Sequence, residues 1–83
     1  MRLLVPTLVS LVVSISLAFA DRLPTPEERA QIEQTLRSEG FVRWGKIELD
    51  HVWEVDDAQI QNGTEFDVKI DPKTMRIIER ARD

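Results

Sequence analysis

The sequence predicts an α+β fold, one N-terminal helix packed on a four-stranded antiparallel sheet, preceded by a cleaved signal peptide. Three observations carry this. Residues 21–83 open with a segment that holds both a helix start signal and a helix stop signal. After Gly40 the apolar residues change from a helical to an alternating period. The alternating stretches are separated by short turn-forming segments, and no linker is long enough to split the chain into two domains.

Residues 1–20 have the layout of a secretory signal. Met1-Arg2 supplies a minimal positive start, an uncharged apolar run follows, and Ala18-Phe19-Ala20 fits the small-x-small cleavage rule. The run lies at the lower edge of the roughly 20 residues that span a bilayer. It also holds Pro6 and three serines. The expectation is cleavage after Ala20, which leaves a single domain over residues 21–83, periplasmic or secreted, with no stable membrane anchor. Position 21 is Asp rather than Cys, which argues against a lipid anchor.

In "DRLPTPEERAQIEQTLRSEGF" the helix is predicted from Pro26 to about Glu39. Thr25 is a good N-cap, Pro26 suits the first helical position, and Glu28 completes a capping box. Glu27 and Glu28 sit at the positive end of the helix dipole. Gly40 is a natural C-terminal stop. Ile32 and Leu36 form a narrow apolar stripe, so this helix covers one side of something larger.

Four strands follow. "GKIELD" places Ile47 and Leu49 on one face and Lys46, Glu48 and Asp50 on the other. "VWEV" groups Trp53 with Val55. "TEFDVKID" alternates most clearly, with Phe66, Val68 and Ile70 against Glu65, Asp67, Lys69 and Asp71. "RIIER" is a short last strand after a Pro72-Lys73-Thr74 turn. The first hairpin turns tightly near Asp50-His51. A two-residue turn there puts Trp53 on the side of Glu48, and a three-residue turn puts it on the side of Ile47. The second connection is read as a longer loop, Asp57 to Gly63, with Asn62-Gly63 suited to positive φ.

Composition limits the function. The chain has no cysteine, so an apolar core must replace the disulfides common in small exported domains. At about 60 residues such a core is marginal, which leaves homodimerisation or partner docking open as added support. Arg2 is the only charge in the first 20 residues, so residues 21–83 carry ten basic and fifteen acidic side chains, a net of −5. That balance argues against nucleic acid and anionic lipid and leaves basic or neutral protein partners.

No catalytic site is expected. Ser38 and His51 are the only serine and histidine after residue 20, and nothing in the sequence brings them together. An EF-type calcium loop fails as well: with Gly63 at its sixth position, Ala58 and Ile60 fall on ligand positions and Lys69 on the twelfth. Asp56, Asp57 and Asn62 remain a minimal oxygen set for a calcium or small-ligand sensor. Otherwise no cofactor is expected. Trp44 and Trp53 have two readings. Both are candidate core residues. By parity, though, Trp44 falls opposite Ile47 and Leu49, where an exposed ring would anchor a protein partner beside Glu48 and Glu54. A bulge at Gly45 would return it to the core.

Ile47-Glu48-Leu49-Asp50, Trp53-Glu54-Val55 and Val68-Lys69-Ile70-Asp71-Pro72-Lys73-Thr74 together resemble the PepSY domain. The likeness is to small exported bacterial PepSY proteins and covers nearly all of residues 21–83. It departs at two points. His51 stands where a turn glycine is common, and Met75 where a glycine after the threonine is common. The resemblance implies a helix on an antiparallel sheet and no catalytic residues. It also implies a role in restraining a peptidase or another envelope protein, since PepSY domains occur in the propeptides of thermolysin-like proteases.

Overall fold

A computed structural model of the chain describes residues 21–83. The expected signal sequence and its expected cleavage after Ala20 lie outside the described residues. The element order is α1 (Pro26–Ser38), β1 (Phe41–Arg43), β2 (Ile47–Asp50), β3 (Val52–Ile60), β4 (Glu65–Ile70) and β5 (Ile77–Arg82). All strands join one antiparallel sheet in the order β1-β3-β4-β5, with β2 also pairing β3. The sheet thus has five strands rather than four. Its first edge is one path broken into β1 and β2, because Trp44 to Lys46 depart from strand geometry.

The helix forms as its ends dictate. The Thr25 hydroxyl accepts the Glu28 N–H at 3.1 Å, and Glu28 Oε1 accepts the Thr25 N–H at 2.9 Å. Arg22 adds two bonds to the same carboxylate, at 2.9 and 3.0 Å. These bonds, Arg22's foremost and then the Thr25 N–H, hold the Glu28 carboxyl down at about 2. At the other end Gly40 takes φ 97°, and its N–H reaches the Arg37 carbonyl. The stripe of Ile32 and Leu36 is fully buried. Burial of each such side chain contributes about 1.5–3 kcal/mol.

The core fills the space between α1 and one face of the sheet. Phe41, Ile47, Trp53, Val55, Ala58, Val68 and Ile70 are buried there with the helix stripe. Leu49 pairs with Trp53 and Asp50 with Val52, so the first hairpin turns through three residues. Of the two registers read from the sequence, this one puts Trp53 on the side of Ile47.

β3 runs on to Ile60, where a long loop was expected from Asp57. The reason is a bulge. Val55 pairs with Val68 and Ala58 with Phe66, so Asp56 and Asp57 together oppose Asp67. Asp57 takes φ 53°, which Asp tolerates better than most residues. The extra residue returns Ala58 and Ile60 to the core side, and the true turn is confined to residues 61–64. Gly45 lies against this bulge, its N–H donating to the Asp56 carbonyl at 2.8 Å. A Cβ at Gly45 would stand 3.2 Å from that same oxygen, so a side chain there would push the two strands apart by a few tenths of an ångström.

His51 and Met75 take φ 71° and 60°, the left-handed region that their glycine counterparts would enter without strain. His51 is exposed, and its contact with Asp50, at 3.5 Å, lies at the surface. His51→Gly is therefore expected to stabilise the protein by about 1 kcal/mol. That corresponds to a rise in Tm of about 4–8 °C in a thermal melt. A lower Tm would mean that the turn depends on the imidazole.

Candidate functional site

The sheet face turned away from α1 is the candidate. Residues paired across an antiparallel ladder share a face. Glu48 pairs with Glu54, Glu54 with Lys69, and Lys69 with Glu79, which makes one row across four strands. The neighbouring strand positions Asp56, Gln59, Glu65 and Asp67 turn the same way, because Val55, Ala58, Val68 and Ile70 beside them are buried on the other side. Lys46 reaches Glu48 at 3.5 Å, and Gln59 donates to Glu65 at 2.7 Å. A shallow groove of about 250 Å3 crosses β3 and β4 here, lined by Glu54, Asp56, Asp67 and Lys69.

This face is electrostatically costly. Like charges directly opposite each other, as at Glu48 and Glu54, destabilise a sheet pair. At the bulge, oxygens of Asp57, Glu65 and Asp83 lie within 4.8 Å of one another. The Asp83 carboxyl is raised above the usual carboxylate range, first by desolvation and then by the charges of Asp67 and Asp57.

The structure sorts the residues singled out from the sequence. Glu48 and Glu54 face out and adjoin. Trp53 is 1% exposed, in the core, with the Arg22 guanidinium 5.4 Å from its ring centre, so it presents no ring to a partner. Trp44 is half-buried and packs against the core, with Arg37 of the helix 5.3 Å from its ring centre. The parity argument that placed it on the open face fails because of the irregularities on either side of it. The two glutamates thus lie on the open face, Trp53 lies in the core, and Trp44 lies between, half-buried under Arg37.

The sensor set does not assemble as read. Asp57 groups with Glu65 and Asp83 rather than with Asp56. Asn62 Oδ1 instead accepts the Thr64 N–H at 2.9 Å and shapes the hairpin turn. Each of these three exposed or half-exposed carboxylates brings one oxygen to the group, against the six to eight oxygens that calcium takes. Ser38 donates its hydroxyl to the Thr35 carbonyl at the helix end, while His51 sits in the β2–β3 turn. Sequence reasoning missed Glu65, Asp67 and Asp83 as neighbours of Asp57, since only the strand register brings them together.

A family profile described as the peptidase propeptide and YPEB domain matches residues 3–81. The chain belongs to the PepSY family. No curated protein and no solved structure matches it. Among the described residues, one helix on an antiparallel sheet accords with the fold expected for a PepSY domain. Among the described residues no helix is long and apolar enough to cross a membrane.

Proposed function

We propose that this PepSY protein is a non-catalytic module, exported to the periplasm or beyond after cleavage at Ala20. In this reading it restrains a protein partner, a peptidase foremost, by docking its open sheet face on a basic surface. The observation that supports this is the row Glu48–Glu54–Lys69–Glu79, in which one sheet face carries opposed carboxylates at a cost to its own stability. A cationic partner surface would relieve that repulsion and be steered by it.

The test measures the activity of a thermolysin-type peptidase titrated with the protein and with a Glu48→Lys/Glu54→Lys variant. The expected result is inhibition that weakens at least about tenfold in the variant and in high salt. The double reversal again sets like charges opposite each other, one of them against Lys69, so the variant's Tm should fall modestly, and the titration is made well below it. Equal inhibition by both forms, or none by either, overturns the reading.

A further inference from the structure

A different surface, the outer edge of β5, has the features of a strand-addition site. We propose that this edge and the cleft beside it take an extended, carboxylate-bearing segment of a partner polypeptide as an added strand. Among the described residues β5 pairs only with β4. The Asp83 N–H donates to the Glu65 carbonyl, so by alternation Glu79, Ala81 and Asp83 bond inward. Arg80 and Arg82 therefore turn their backbone N–H and C=O outward. Such a row is a template for an incoming strand.

The cleft supplies the side-chain contacts. It measures about 390 Å3 and lies between the C-terminal half of α1 and the start of β5. Met75 and Ile77 give it apolar walls and Arg76 and Arg80 give it donors, while the Thr35 and Ser38 hydroxyls donate to the Met75 and Thr35 carbonyls and Glu39 adds one carboxylate. Arg80 is engaged by Glu39, whereas the Arg76 guanidinium has no side-chain partner among the described residues. The stretch from Arg76 to Arg82 holds three arginines and one glutamate in a chain whose net charge is −4. That local excess of cations selects a segment with carboxylates on its cleft-facing side and apolar residues near Met75 and Ile77.

A second copy of the chain is a poor occupant. Strands paired about a two-fold axis would set Glu79 or Arg80 opposite its own copy or, with the axis at Ala81, Arg80 opposite Arg82 and Glu79 opposite Asp83, and like charges so placed repel. The opposite edge of the sheet is poorly suited to the same role. Arg22 and Leu49 pair through two backbone bonds, of 2.8 and 3.3 Å, on the outer side of β2. The register shift within β1 interrupts the rest.

The experiment uses 15N-labelled protein and an acetylated, amidated octapeptide of alternating valine and glutamate, with a valine–lysine octapeptide as control. Saturable amide shifts are expected at Arg80, Arg82 and Thr35 to Glu39 with the acidic peptide, and none with the basic one. Arg82→Pro removes an outward N–H and no ladder bond, so it should fold and lose binding. Arg76→Glu should weaken binding by about tenfold or more. The Glu48→Lys/Glu54→Lys variant should bind the peptide undiminished, which separates this site from the open face. Binding that survives both Arg82→Pro and Arg76→Glu, equal binding of the basic peptide, shifts confined to the open face, or no shifts at all overturns the proposal.

Discussion

Trp53→Ala is expected to abolish the folded state at 37 °C. Trp53 is the largest fully buried side chain, and it meets the helix side of the sheet where β2, β3 and β4 adjoin. Truncating a buried Trp costs about 3–5 kcal/mol. A domain of this length has roughly 3–9 kcal/mol of total stability, at about 0.05–0.15 kcal/mol per residue. The deletion also removes the ring under the Arg22 guanidinium. Trp44 is then the only tryptophan left, since the chain has two. Its fluorescence should shift to the red and become quenchable by iodide, with loss of the cooperative melt. Trp53→Phe keeps most of the volume and should stay folded with a lower Tm. If Trp53→Ala melts within a few degrees of the unaltered protein, the core assignment of this ring is wrong.

The second large effect separates two neighbouring residues of β4. Val68 is 1% exposed and lies on the core side, while Asp67 is exposed on the other. Val68→Asp places a carboxylate in the core with no partner, at a cost of several kcal/mol. The fold should be lost at neutral pH. Burial would raise the folded-state pKa of the new carboxyl, so the folded form would bind a proton that the unfolded form has shed. The variant's stability should therefore increase as pH falls through that raised value. Asp67→Asn, one position away, keeps an acceptor for the Asp57 N–H and removes a charge that presses on Asp83. Its Tm should equal or exceed that of the unaltered protein. Circular dichroism melts of the pair from pH 5 to 8 check both outcomes. Comparable losses in the two variants would show that the sheet does not have one wet and one dry face.

What the sequence made legible is what short-range rules govern. Thr25, Glu28 and Gly40 mark the helix because capping and positive φ are local needs. Phe66, Val68 and Ile70 mark β4 because its strand is regular. The rest depended on breaks in period. The bulge at Asp56-Asp57 hid the second half of β3, and the breaks around Gly45 hid β1 and reversed the inferred face of Trp44. Glu48 and Glu54 were legible as outward residues, yet their direct opposition needed the length of the turn at His51. The convergence of Asp57 with Glu65 and Asp83 is a product of register, which no single segment encodes.

Gly45 and the bulge at Asp57 have a further consequence. The extra residue in β3 and the missing side chain on the strand beside it compensate each other, since a Cβ at position 45 would meet the carbonyl that the bulge pushes forward. The two positions are therefore not free to change independently. A variant that gains a side chain at 45 while keeping the bulge crowds that carbonyl, and one that straightens β3 alone loses the match of Ile60 with Phe41 and of Ala58 with Phe66. A regular edge here would need both changes together, the bulge removed and a side chain added at position 45.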